Sequence, residues 1–248
     1  MKSSHSVLHR PARAALLLFS VAALTLTARA DDNDYRPLFN GSDLAGWKGD
    51  ATFWSVRDGA ITGQTTTEHP AKGNTFLVWQ GFDIKNFELH VQFRLVPNND
   101  KNFANSGIQY RSKVVDPANW VVAGYQGDMD GEGKYVGMLY EEKGRGILAT
   151  PGQQVKITSE GGKPKIEITG ATASIPEITA ANHPGDWNEY VIIAEGNHLQ
   201  HFINGQQTVD IVDEQPDKAA TRGVLALQIH VGPPMTVQFK DLQIRRLE

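Results

Sequence analysis

Residues 87–95 read Phe-Glu-Leu-His-Val-Gln-Phe-Arg-Leu, with apolar and polar side chains in strict alternation. A period of two is the geometry of an extended strand buried on one face, and a helix would scatter these residues round its axis. Phe87, Leu89, Val91, Phe93 and Leu95 therefore form a core face, and Glu88, His90, Gln92 and Arg94 project from the other. Val224–His230 repeats the pattern, with Leu225, Leu227 and Ile229 inward and Gln228 and His230 opposite. A merely solvated sheet face favours Lys, Thr and Glu. The Glu, His, Gln and Arg of these strands suit hydrogen bonding to a polyhydroxylated ligand, with an ordinary wet face as the alternative.

Further strands are expected at Gly107–Arg111, Val121–Asp128, Val136–Tyr140, Glu189–Ala194 and Thr236–Leu247, separated by Gly-, Asn- and Pro-rich turns. Leu199–Ile203 and Gln206–Val212 flank Asn204-Gly205, the strongest short hairpin signal, because both turn positions tolerate positive φ. The segment 151–186 reads as loop, with Lys165–Ile168 as a short edge strand. No amphipathic helix is expected beyond one turn at Pro216–Thr221. Many strands with frequent turns and no helices define an all-β sandwich or barrel.

The first thirty residues read as a cleaved signal peptide and not as part of the fold. Lys2, Arg10 and Arg13 precede the apolar run Ala14–Leu26, and Ala28-Arg29-Ala30 has the small-x-small pattern of a cleavage site. The run is too short to span a bilayer comfortably. The expectation is an exported protein, periplasmic or secreted after cleavage near Ala30, with residues 31–248 as one domain and no membrane span. That domain carries 20 Lys and Arg against 28 Asp and Glu, with no basic block, which argues against nucleic acid as a partner. The absence of cysteine excludes disulfides, thiol nucleophiles and thiolate metal sites.

No phosphate loop, dinucleotide fingerprint, His-Glu-x-x-His or Gly-x-Ser-x-Gly is present. Asp128-Met129-Asp130-Gly131-Glu132-Gly133 starts like a calcium loop, but the twelfth position is Leu139 instead of a bidentate glutamate. An EF-hand is rejected.

A set of short motifs, taken in order, carries a resemblance. These are Leu38-Phe39-Asn40-Gly41 with Gly46-Trp47, Trp54-Ser55-Val56 with Asp58-Gly59, and Asn105-Ser106-Gly107-Ile108 with Tyr110-Arg111. Gly124-Tyr125-Gln126 with Asp128, Leu139-Tyr140 with Glu142, and Gly144-Arg145-Gly146 follow. Trp187-Asn188 with Tyr190, His201 with Asn204-Gly205, and Leu227-Gln228 with His230 complete it. Over residues 37–247 the chain resembles the 3-keto-disaccharide hydrolase family, described also as 3-keto-glucoside 1,2-lyase and 3-keto-2-hydroxy-glucal hydratase. The resemblance implies a concanavalin A-like jelly-roll sandwich of two antiparallel sheets with a concave groove, and an oxidised (3-keto) glycoside or disaccharide as substrate. Two departures stand out. Gln126 replaces a frequent glutamate, and Val231 separates His230 from Gly232.

A ketone at C3 acidifies the hydrogen on C2. A base removes it, the aglycone leaves C1 by β-elimination, and water adds to the glycal, so the paired carboxylates of ordinary glycosidases are not required. His230 is the natural proton shuttle. Asp128 and Glu142 are candidate bases, or ligands of a divalent metal if one binds. Arg111 and Arg145 are candidate enolate stabilisers, with ion pairs to Asp128 and Glu142 as the structural alternative. Asn105, Gln126, Tyr140, Gln228 and Glu88 are candidate sugar-binding residues. Trp47, Trp54 and Trp187 are read as packing residues. Two other functions remain open: a non-catalytic carbohydrate-binding module, and a jelly-roll glycosidase acting on unmodified glycans.

Overall fold

The computed structural model describes residues 34–248 together with Met1. The expected signal peptide lies outside the described residues. Among the described residues, seventeen strands and one helix follow in chain order. They are β1 (Arg36–Pro37), β2 (Trp47–Lys48), β3 (Trp54–Arg57), β4 (Ala60–Gln64), β5 (Thr75–Trp79), β6 (Phe87–Pro97), β7 (Asn105–Asp116), β8 (Val121–Asp130), β9 (Leu139–Glu142) and β10 (Gly146–Ala149). Then come β11 (Gln153–Glu160), β12 (Lys163–Ala171), α1 (Ile175–Ala181), β13 (Asn188–Glu195), β14 (His198–Ile203), β15 (Gln206–Asp213), β16 (Val224–Ile229) and β17 (Met235–Arg246).

The strands form two sheets of the expected jelly-roll sandwich. A ten-stranded sheet runs β12-β11-β15-β14-β13-β6-β17-β4-β3, with β1 paired to β17. A seven-stranded sheet runs β10-β9-β8-β7-β16-β5-β2. All pairs are antiparallel except β11 with β15, which run parallel. In β6 the burial alternates as its sequence requires, and Phe87, Leu89, Val91 and Phe93 lie between the sheets. Ile108, Tyr110, Tyr125, Leu139, Leu225, Leu227 and Ile229 meet them from the seven-stranded sheet. The hairpin between β14 and β15 turns on Asn204 and Gly205, with φ of 48° and 80°, the left-handed pair its sequence signals.

The segment 151–186 is not a loop. It holds β11, β12 and α1, and the expected edge strand at Lys165–Ile168 is the middle of β12. The helix is started by a capping box: Ser174 Oγ accepts from the Glu177 amide, and the Glu177 carboxylate accepts from Ser174 N at 2.8 Å. Pro216–Thr221 forms a turn without a helix. β12 ends the sheet, and Ile166 and Ile168 stand on it 41% and 62% exposed.

Buried polar side chains tie the sheets together. His201 of β14 lies between two tyrosines, with Nε2 2.9 Å from Tyr110 Oη of β7 and Nδ1 3.1 Å from Tyr190 Oη of β13. Burial pulls the imidazole pKa down to about 4, against hydrogen bonding to the 137–138 backbone, which favours the cation. Neutral His201 accepts from Tyr110 and directs Nδ1–H toward the Gly137 carbonyl, 3.3 Å away. Thr208 Oγ1 donates to the same carbonyl at 2.8 Å. Gly137 sits at φ 80°, where a Cβ would strike Thr208 at 2.4 Å, so only glycine lets the chain press this close.

The folded-state pKa of His201 is depressed, so the unfolded chain binds the extra proton as the pH falls from about 6.5 to about 4. The stability His201 contributes is complete above that window and is lost within it. Urea denaturation should show the advantage of wild type over His201→Gln shrinking by on the order of 3 kcal/mol between neutral pH and the lower limit.

Candidate functional site

The outer face of the seven-stranded sheet divides into two regions. Phe76, Val78, Val122 and Ala226 form a second apolar cluster, covered by Trp120. Beside it opens a groove of about 370 Å³, lined by Asn74, Asn105, Gln126, Asp128, Tyr135, Met138, Tyr140, Glu142, Ile147 and His230. Neither lysine nor arginine is among these lining residues.

The floor is assembled from neighbouring strands. Register sets Gln109 of β7 opposite Gln126 of β8, which faces Tyr140 of β9, while Asp128 faces Gly107. Gln126 Oε1 accepts from Gln109 Nε2 at 2.7 Å and from Gln228 Nε2 at 2.9 Å, and its own Nε2 donates to Asp128 Oδ1 at 2.8 Å. Gly107 makes this possible. A Cβ there would sit 2.5 Å from Gln126 Cγ and Cδ, so the amide can lie across the neighbouring strand only above a glycine. Glu142 Oε2 accepts from Asn74 Nδ2 at 3.2 Å, and Asn74 Oδ1 accepts from Val231 N at 3.0 Å. That last bond fixes the inserted Val231 at the rim. His230 Nδ1 lies 2.6 Å from the Val231 carbonyl, and its ring packs beside Phe103.

The wall formed by residues 131–138 is held by backbone. Gly137 N donates to the Asp128 carbonyl and Asp128 N to the Met138 carbonyl, at 2.9 and 3.2 Å. Asp130, part of the calcium-like run, caps this turn by accepting from Lys134 and Tyr135 amides at 3.1 and 3.0 Å.

Burial without a cation nearby drives the electrostatics. Asp128 is 3% exposed, and desolvation raises its pKa to about 8 over the opposing Gln126 bond, with Asp130 adding to the rise. Burial, then Glu142 and Asp128, push the Tyr140 phenol up, so it stays a donor. Among the described residues no group of three His, Cys, Asp or Glu could hold a metal. Asp128 and Glu142 are both engaged by amides, and the donor set does not fit a protein-held cation.

The fold brings Asn105, Gln126, Asp128, Tyr140, Glu142 and His230 to one groove, with Gln228 buried beneath it. Three expected residues lie elsewhere. Arg111 sits at φ 48° where the β7–β8 register slips, so the bulge turns it off the groove face. Its guanidinium is buried and donates to the carbonyls of Lys85 at 2.7 Å and Gly196 at 2.6 Å. Arg145 pairs at 2.7 Å with both Glu141 and Asp213, not with Asp128 or Glu142. Glu141 precedes Glu142 and so takes the opposite, inward face of β9. Although desolvation opposes the charge, these carboxylates hold Arg145 protonated. Glu88 is on the outer face of the other sheet, because the polar faces of β6 and β16 belong to different sheets. There it accepts from Tyr35 at 2.7 Å and pairs with His90 and Arg245. Burial would raise the Glu88 pKa, but these partners hold it at about 2. Trp47 and Trp54 are core residues, and Trp187 packs under Arg94 and Lys240. Asn74, Tyr135, Met138 and Ile147 line the groove without having been singled out from the sequence. Asn74-Thr75 at a strand entry was the one available signal.

A two-sheet jelly roll whose outer face carries buried amides and carboxylates is the architecture of a carbohydrate-active protein. The chain belongs to the family of 3-keto-alpha-glucoside-1,2-lyase-like domains, whose model matches residues 34–245. The family places it among proteins that act on glycosidic bonds or bind carbohydrate. No curated protein matches the chain. Among solved structures it is similar to a candidate glycosyl hydrolase from Parabacteroides distasonis, at 20% identity and TM-score 0.55 over 86% of this chain and 94% of that one. A galectin-like protein of unknown function from Bacillus subtilis aligns at 11% identity and TM-score 0.55, covering 86% and 94%. A family-66 carbohydrate-binding module from Bacillus subtilis aligns at 13% identity and TM-score 0.51, covering 82% and 98%. At these identities the likeness is one of fold.

Two outcomes follow from the geometry. Gly107→Ala should leave the fold intact but displace Gln126, weakening sugar binding roughly tenfold by titration calorimetry, the worth of about one hydrogen bond. Asp213→Ala removes one of the two carboxylates paired with buried Arg145, and the acceptor of Tyr125 Oη, and should cost about 1.5–3 kcal/mol in denaturant unfolding, where a groove variant such as Asn74→Ala costs less.

Proposed function

We propose that the protein cleaves glycosidic bonds in 3-keto glycosides by β-elimination, with water then adding to complete a net hydrolysis. The observation that carries this reading is a groove with two carboxylates, Asp128 and Glu142, above a neutral amide floor and with neither lysine nor arginine in its lining. Family membership supports the oxidised substrate.

In this reading Glu142 takes the hydrogen from C2, and the carbon–hydrogen electrons delocalise onto the C3 oxygen as an enolate. With Arg111 and Arg145 elsewhere, neutral donors meet that oxygen: the Tyr140 hydroxyl and the groove amides. The enolate then reforms the ketone, a double bond forms between C1 and C2, and the aglycone leaves C1 with its oxygen. Water adds at C1 while C2 is reprotonated. His230, at the rim, exchanges protons with solvent. The basic and apolar run in residues 1–30 supports export, so the reaction is proposed for the periplasm or the medium.

Incubation with a 3-keto glucoside and with its unoxidised parent tests the reading. Aglycone should be released from the keto compound alone, with exchange of the C2 hydrogen, and Glu142→Gln should lower turnover by about 10²–10⁴. Cleavage of neither compound by a folded protein that still binds sugar would leave a carbohydrate-binding module. Cleavage of the parent would point to a glycosidase.

A further inference from the structure

The hydrogen bonds under the groove can run in two senses, because turning an amide over exchanges its donor and acceptor ends. In the first, Gln126 donates to Asp128 and accepts from Gln109 and Gln228. In the second all three amides are turned.

The surroundings of Gln109 choose between them. One end of its amide faces Ser112 Oγ at 2.7 Å, the Tyr125 carbonyl at 3.1 Å and the Gly124 carbonyl at 3.2 Å. Two of those three can only accept, so this end should be the NH₂ group. Gln109 Oε1 then points at Gln126, 2.7 Å away, and Gln126 must answer with its own NH₂. That nitrogen has one hydrogen for Gln109 and one for Gln228. Gln126 Oε1 is left facing Asp128 Oδ1 at 2.8 Å. Two oxygens this close need a hydrogen between them, and an amide oxygen has none to give. Gln228 leans the other way, but weakly: its Nε2 reaches Glu142 Oε2 only at 3.5 Å in the first sense, where its buried Oε1 has no partner.

We propose that Asp128 stands in the groove as a neutral carboxylic acid donating to Gln126, and that it protonates the aglycone oxygen as it leaves C1. The second half rests on the reaction proposed above. Desolvation and Asp130 on its own strand oppose a charge on Asp128, and Asn105 and the Met129 amide favour one, with desolvation the largest influence. Tyr140 on β9 and buried Tyr190 from the opposite sheet keep their phenol protons. Glu142 and His230 line the same groove.

The steps balance. As the C1–O bond breaks, the Asp128 O–H bond breaks and its proton goes to the aglycone oxygen. Asp128 becomes a carboxylate, and the amides turn to the first sense, so that Gln126 donates to the new charge. When water adds to C1, Asp128 takes a proton from it and Glu142 returns its own to C2, which restores both groups.

Asparagine at 128 keeps the shape and cannot ionise, so comparison with Asp128→Asn reads the proton. A folded-state pKa raised above the unfolded value makes wild type lose stability as the pH rises between the two. The ratio of unfolding constants, wild type over Asp128→Asn, should therefore rise tenfold per unit between about pH 5 and about pH 7. A flat ratio would overturn the neutral acid. If the variant does not fold, the infrared spectrum of wild type at neutral pH decides, by presence or absence of a protonated-carboxyl band. For the catalytic half, Asp128→Asn should lose about 100-fold or more in kcat on a 3-keto alkyl glucoside but little on the 3-keto 4-nitrophenyl glucoside, whose leaving group needs no acid. Equal losses on both would overturn the acid role. A wild type that cleaves neither sinks the reaction and the acid role with it, while the stability ratio still decides the proton.

Discussion

A polar group taken out of water has to find its partner inside the protein, and the seven-stranded sheet is arranged round that demand. Its middle strands are buried on both faces, by the core on one side and by the 131–138 wall and Trp120 on the other. Apolar residues satisfy the inner face. On the outer face Gln109, Gln126, Gln228 and Asp128 are almost wholly buried and must find their partners in one another and in the protein groups beside them. Gly107 supplies the room, and Asn74, Tyr140 and Glu142 complete the shell toward the groove. The groove is thus the open end of a buried hydrogen-bond network.

The same demand organises the junction between the sheets. With no cysteine in the chain, no disulfide joins them. Tyr110–His201–Tyr190 joins them through the core, Arg111 ties loop carbonyls, and Arg145 with Asp213 links the β9–β10 turn to β15. Tyr125 Oη donates to Asp213 at 2.5 Å, so the strand that carries Gln126 and Asp128 also grips the opposite sheet. Site and scaffold share their strands, and so share their stability.

How much of this could be read in the sequence depends on the kind of information needed. The pleat of β6, the inward set of β16 and the Asn204-Gly205 turn follow from local chemistry, and all three stand as read. Which sheet a polar face belongs to is not local. Hence Glu88 and Gln228 look alike in sequence, although β6 and β16 lie in different sheets. Arg111 leaves the groove face because a bulge breaks the alternation, and nothing in Tyr110-Arg111-Ser112 signals it. The helix at Ile175–Ala181 was legible in Ser174-x-x-Glu177 with Pro176, but the polar composition of 151–186 obscured it. The groove residues that came together owe their selection to the family motifs more than to periodicity.

The last strand of the larger sheet bears on behaviour at high concentration. β12 offers a neighbouring molecule a free row of backbone donors and acceptors, with Ile166 and Ile168 partly uncovered along it. Such an edge is a template for adding strands from other chains. Pro164 interrupts the donors, Lys163 and Lys165 set charges ahead of the isoleucines, and Glu167 sets one between them. A second copy laid alongside in register would bring like charges together, so these few side chains act as the chain's guard against edge-to-edge assembly.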